Sequence, residues 1–224
     1  PNGFYNLSHL STIVFAVNTD LEAELGMNIT GYDDLLDPRL AGKIVMPDPN
    51  SSSSAWNHVC NIFAAYGNDS PEAWELMEGM LRNKMVISTS SSVAFRSVQA
   101  GEYVVGLSYE DGASTLLKSG ATNIKLVYPE QGASASAFSV AIIKNAPNME
   151  AAKLMANFLM SAEGQSALGT ALGTLRFTNA NAVYETPYIP ATEEIYWVDR
   201  DIDWLVENKE QVLRRWNDIY MRTR

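Results

Sequence analysis

Apolar and polar positions along the chain follow two different periods. Short continuous apolar runs, of the length expected for buried strands, alternate with longer stretches whose apolar residues recur three and four apart, as on one face of a helix. The strand-like runs are residues 12–17 (TIVFAV), 43–46 (KIVM), 84–87 (KMVI), 103–108 (YVVGLS), 124–128 (IKLVY) and 138–143 (FSVAII). The helix-like stretches are 31–36, 51–66, 70–83, 91–100, 112–119, 149–160, 162–172 and 203–220. Ser70-Pro71-Glu72 supplies an N-cap, a proline at the first helical position and an acidic first turn. Gly67 and Gly101 close the helices before them, and Pro38 and Pro47 interrupt their segments. Strand and helix in alternation predict an α/β fold. The run 138–143 reads as a central strand of a parallel sheet, buried on both faces.

The character changes near Asn148. The middle of the chain can close on itself as one compact α/β unit, whereas the tail is mostly helical. Those tail helices need a sheet to cover, and only 12–17 and 138–143 are left to form one. Two strands make a poor sheet, so the pattern predicts a chain with more helices than its strands can serve. No internal repeat is visible, and Ser51–Ser54 is the one low-complexity patch.

Composition narrows the classes. With 46% hydrophobic and 19% charged residues among 224, the chain reads as ordinary globular protein with a sizeable core. No apolar run approaches the roughly 20 residues of a membrane-spanning helix. The beginning, Pro1-Asn2-Gly3, is not the basic start of a signal peptide, and a precursor could have lost one. The net charge of −10 and the pI of about 4.6 argue against a nucleic-acid partner. One cysteine, Cys60, permits neither an internal disulfide nor a cysteine zinc site, and its apolar neighbours make it a core residue.

Two hydroxyl-rich turns each join a strand to a helix. Ser51, Ser52 and Ser53 follow KIVM, and Ser88, Thr89, Ser90 and Ser91 follow KMVI. Helix N-termini present free N–H groups and a positive dipole end to anions, and hydroxyls add donors. In an open α/β sheet, ligands sit beyond the carboxyl ends of the strands, so parallel neighbours would put both turns on one rim. Simple helix capping explains either turn about as well. Tyr109-Glu110-Asp111 follows YVVGLS on the same rim. Asp111, before Gly112-Ala113-Ser114, suits an N-cap. Tyr109 and Glu110 are then the candidates for sugar hydroxyls, an amine or a hard metal ion. Glu130 could reach the same cleft or lie in a surface turn. Arg176 could meet an anion bidentately, although a salt bridge is the commoner use of an arginine. Walker, Rossmann, His-Glu-x-x-His and Gly-x-Ser-x-Gly patterns are all missing. A Ser54/His58 pair lacks a third member. The residues therefore point to binding rather than catalysis, with no cofactor.

The order of the pieces resembles the type 2 periplasmic solute-binding proteins of bacterial ABC transporters, in the branch that binds ferric iron or hexose phosphates. The matching segments are FAVNTD (15–20), GYDDLLDPRLAGKIVMPDP (31–49), VQAGEYVVGLSYEDGA (98–113), FSVAIIKNAPNMEAAKLMANFLMSAEGQ (138–165) and VDRDIDWLVENKEQVLRRWNDIY (198–220). The resemblance implies two α/β lobes joined by crossing strands near 12–18 and 136–143, with a ligand clamped between them. Residues 1–27 would hold part of lobe 1 and the first crossing, 28–136 lobe 2, and 137–224 the second crossing and the C-terminal helices of lobe 1. The opening strands of lobe 1 are not in the sequence, so that lobe is expected to be incomplete and its exposed apolar surface to favour a dimer. The implied partners are a small polar, anionic solute (a sugar phosphate or phosphonate) and a membrane permease. The implied location is periplasmic or extracellular, lipid-anchored or soluble. Iron-binding members carry a tyrosine pair where this chain has Tyr109-Glu110, so iron would rest on Tyr109 and Glu110 alone. The alternatives are a ferric-ion carrier, a sensory domain unconnected to transport and, least favoured, a serine hydrolase.

Overall fold

A computed structural model describes residues 5–224. Its frame is one long strand, β1 (Asn6–Asn18), which serves two groups of partners. The second half pairs antiparallel with β4 (Val105–Tyr109) and β5 (Ile124–Val127), and β4 leads on to the parallel strands β2 (Ile44–Pro47) and β3 (Val86–Ser88) in the order β3-β2-β4-β1-β5. The first half pairs antiparallel with β6 (Ala135–Val140) and β7 (Arg176–Phe177).

The run Ile13 to Val17 is continuous and apolar because helices cover both faces of the sheet. Alternate residues enter different cores. Phe15 and Val17 pack with Val59 and Phe63 of α2 (Ser53–Tyr66), Trp74 and Met77 of α3 (Pro71–Arg82) and Trp216 of the C-terminal helix. Val14 and Ala16 pack with Phe95 and Val98 of α4 (Val93–Gln99) and Ala113 of α5 (Glu110–Lys118). Gly106 of β4 permits the close approach of α4: a Cβ there would lie 1.6 Å from the Ala94 carbonyl oxygen. Asn18 ends β1 and caps α1 (Thr19–Glu24), its Oδ1 accepting from the N–H groups of Asp20 and Leu21 at 3.1 and 3.0 Å.

The tail holds α6 (Met149–Met160), α7 (Ala162–Leu172) and α8 (Ile202–Thr223). α8 buries Leu205, Val212, Trp216 and Ile219 against the large core. α6 buries none of its residues; Leu154, Met155 and Phe158 stand exposed, as do Phe138 and Ile143.

The expectation for 138–143 needs correction. The strand is Ala135–Val140, it runs antiparallel to β1, and residues 141–143 leave the sheet. Ser136 and Ser139 interrupt its apolar residues, and Phe138 is 49% exposed. The stretch 31–36 forms only a single 3-10 turn, Asp33–Leu36. Residues 6–11 (NLSHLS), two leucines among polar residues with a register shift between Leu7 and His9, extend β1 beyond the expected 12–17. No described helix is long and apolar enough to cross a membrane.

Candidate functional site

Strands β2, β3 and β4 end on one rim, and β1 runs antiparallel past it. Tyr109, the last residue of β4, is paired with Ile13. The outer half of β1, with β6 beside it, therefore projects from the rim, and a cavity of about 260 Å³ lies in the corner between them. The rim contributes Ser53, Ser54 and Asn57 from the start of α2, Ser91 just ahead of α4, and Tyr109 and Asp111 from the start of α5. The projecting strands contribute His9, Ser11 and Phe138. His9 and Phe138 are paired across the strands, and their rings stack at 5.0 Å with 7° between planes.

The local reasons are simple. Ser52 is the N-cap of α2, and its Oγ lies 2.9 Å from that of Ser54. The first N–H groups of α2 have no partner within the helix and face the rim. Tyr109 lies edge-on to Phe95 and over Gly112, where a Cβ would meet the tyrosine ring at 2.5 Å. Burial, then the Asp111 carboxylate, push the Tyr109 phenol above its ordinary pKa, with Ser91 opposing. Burial, with a lesser push from Glu110, likewise raises Asp111. Burial lowers the pKa of His9. Neutral pH thus leaves a phenol and a neutral imidazole beside hydroxyls and the Asp111 carboxyl group in a single corner, a set suited to polar, hydroxylated or phosphorylated molecules.

Of the residues proposed from sequence, Ser53, Ser91 and Tyr109 come together here. Ser52 caps α2, and Ser51 is exposed in the turn before it. Ser88 gives its hydroxyl proton to the Ser90 carbonyl at 3.1 Å, Ser90 pairs with Ser92, and Thr89 is exposed.

Three other candidates lie away from this cavity. Glu110 is 2% exposed and engaged by Arg176, whose Nε lies 3.1 and 3.0 Å from the two carboxylate oxygens and whose Nη2 lies 2.8 Å from Oε1. Tyr128 donates to the same Oε1 at 2.6 Å. Arg176 also holds Thr192 and the Pro190 carbonyl, so it ties the irregular segment before α8 to the start of α5. Neither residue lines the cavity. Glu130 is exposed in a turn, with its N–H on the Thr30 carbonyl, and does not line it either. The roles expected of the adjacent acids are exchanged: Asp111 enters the cavity, Glu110 enters the structure, and the N-cap position of α5 is Tyr109 without a side-chain capping bond. Adjacent helical residues point about 100° apart, and nothing local reveals which of the two faces the cleft.

Sequence reasoning missed His9, Ser11, Phe138 and Arg200. Behind the cavity, Arg200 donates to Asn57 and Ser136, and through Ser134 it joins Asn61, Tyr32 and His58. His58 is fully buried, with Nε2 2.7 Å from the Ser108 carbonyl, and burial depresses its pKa to about 4. It is a core residue and not a partner for Ser54.

A profile of the family described as bacterial extracellular solute-binding protein matches residues 1–202. The chain belongs to that family. This solute-binding protein is 24% identical over 212 residues to an uncharacterized protein of Haemophilus influenzae, covering 93% of the chain and 60% of the relative. It is 29% identical over 156 residues to iron uptake protein A1 of Synechocystis, covering 62% and 41%. The chain thus spans less than two thirds of the length of both curated relatives. Among solved structures, the periplasmic binding protein AfuA from Actinobacillus pleuropneumoniae, with fructose-6-phosphate bound, superposes with a TM-score of 0.83 at 23% identity, covering 98% of this chain and 69% of AfuA. The mixed α/β fold of the solute-binding protein is that of periplasmic binding proteins.

Proposed function

We propose that this solute-binding protein captures a small polar anion, of the sugar-phosphate or phosphonate type, in the cavity between the rim and the crossing strands. It then delivers the solute to the membrane permease of an ABC importer from the periplasm or the outer cell surface. The observation that carries this reading is the convergence of Ser53, Ser54 and Asn57 with Tyr109, Asp111 and the stacked His9–Phe138 pair on one cavity. The start of α2 suits the anionic group. Asp111 and Tyr109 suit hydroxyls, and the aromatic stack suits the apolar face of a sugar ring. The likeness to AfuA supports the same ligand class. With a net charge of −10, anion affinity comes from these local donors and not from the overall field. In this reading 28–136 forms one lobe, 1–27 and 137–224 contribute to the other, and closure bends the two strands between them.

The ferric alternative retains one observation, that Tyr109 and Asp111 share the cavity. It loses Glu110 to Arg176, and the raised pKa of Tyr109 disfavours the phenolate that iron requires.

The test is a thermal-shift series with glucose 6-phosphate, glucose, inorganic phosphate, 2-aminoethylphosphonate and Fe(III)-citrate. A ligand at 100 times its Kd stabilises by about 2.7 kcal/mol, which at this length raises Tm by about 5–11 °C. The expected result is a rise with a phosphorylated compound and not with its parent, reduced in Ser54→Ala and Asp111→Asn. A rise with Fe(III)-citrate alone, with a visible charge-transfer band lost in Tyr109→Phe, establishes the ferric reading instead. No shift with any of the five refutes the ligand class.

A further inference from the structure

Arg200 stands between Trp197 and α8 and directs its donors at neutral acceptors: Nε to the Ser134 hydroxyl at 2.6 Å, and Nη1 to Asn57 Oδ1 at 2.8 Å and to the Ser136 hydroxyl at 2.7 Å. It takes part in no ion pair among the described residues. A guanidinium has donors only, so the atom of Asn57 that faces it must be the amide oxygen. The Ser136 hydroxyl, which accepts from Arg200, passes its own proton to the same Oδ1 at 3.0 Å. Both lone-pair sites of that oxygen are then occupied, and the two-donor end of the amide is turned away from Arg200.

Arg200 is itself held. Its partner Ser134 donates to Asn61 Oδ1 at 2.6 Å, and Asn61, fully buried, donates to the Tyr32 hydroxyl and to the Gly132 carbonyl. Neither Asn57 nor its anchor is free to flip. Asn57 also lines the cavity beside Ser54 and His9.

We infer that Arg200 is a positioning residue that fixes the Asn57 amide with Nδ2 presented to the cavity, selecting ligands that place an acceptor oxygen there, such as a phosphoryl or carboxylate oxygen. The selection of a ligand rests on the proposed solute-binding role; the amide orientation does not. Arg200 does not line the cavity that Asn57 enters and borders a different one, so it acts on the proposed solute through Asn57, its positive charge one residue behind the anion.

Two measurements separate these claims. In the ligand-free protein, nuclear Overhauser contacts from the Asn57 side-chain NH₂ should reach His9 or Ser54 protons. In Arg200→Met the two NH₂ signals should lose those contacts as the amide begins to flip. Contacts from the NH₂ to Ser136 overturn the inference outright. In titrations with glucose 6-phosphate, Asn57→Asp keeps the acceptor for Arg200 and removes the donor from the cavity. Affinity should fall about 10-fold or more, since a hydrogen bond to a charged group is replaced by like-charge repulsion. The Tm should not fall, because the new carboxylate pairs with Arg200. Affinity equal to wild type overturns the inference, and so does a loss of affinity matched by a loss of stability. If the unsubstituted protein binds neither glucose 6-phosphate nor inorganic phosphate, the ligand class fails, and the Overhauser contacts alone decide the orientation.

Discussion

Replacing Arg176 by methionine separates a structural role from a ligand-binding one. The guanidinium is 7% exposed and makes its pair with Glu110, 2% exposed, through three contacts of 2.8–3.1 Å. Arg176→Met leaves the carboxylate buried with only the Tyr128 hydroxyl as a side-chain partner. Removing one member of a buried pair costs about 3–5 kcal/mol, because the other charge stays in a poorly solvating site. For a chain of this size each kcal/mol is worth about 2–4 °C, so Tm should fall by about 6–20 °C. Glu110→Met in the same chain removes the stranded charge. The double variant should recover most of the loss, since well-packed apolar replacements of buried pairs are often near neutral. Urea unfolding of the two single variants and the double variant gives the coupling energy directly, expected to exceed about 2 kcal/mol. A single variant that keeps its Tm and loses solute affinity refutes the structural assignment. It would return Arg176 to the list of ligand contacts.

Two further outcomes follow from burial. His58 is neutral in the fold, with a pKa of about 4 against 6.5 when exposed, so the unfolded chain binds the extra proton between those values. This contribution is complete above about pH 6.5 and is lost as pH falls toward 4, about 3 kcal/mol in all; the urea midpoint of wild type should drop over that range relative to His58→Gln, and parallel pH profiles would count against it. Gly106→Ala places a Cβ 1.6 Å from the Ala94 carbonyl oxygen, a backbone atom that cannot yield without moving α4. It should destabilise by about 3 kcal/mol or more, and a loss below about 1 kcal/mol in urea unfolding would show that α4 is not pinned to β4.

Local chemistry wrote much of the fold into the sequence. α3 begins at Pro71 after its Ser70 cap, and Met149–Met160 and Ala162–Leu172 form as their periodicity and caps require. The turns after β2, β3 and β4 are hydroxyl-rich or acidic, and Ser53, Ser91 and Tyr109 meet on one cavity because successive parallel strands bring their carboxyl ends to one rim. That much is determined by residues close together in the chain. Tertiary structure decided which acid of a neighbouring pair faces the cleft, since a single helical step separates Glu110, held by a residue 66 positions away, from Asp111 in the cavity. It also set the orientation of Asn57, through Arg200, 143 positions distant. His9 and Phe138 reach the site only because β1 outruns its sheet and pairs with β6. A side chain's periodicity is encoded by its neighbours, whereas its partner is fixed by packing that no local pattern records.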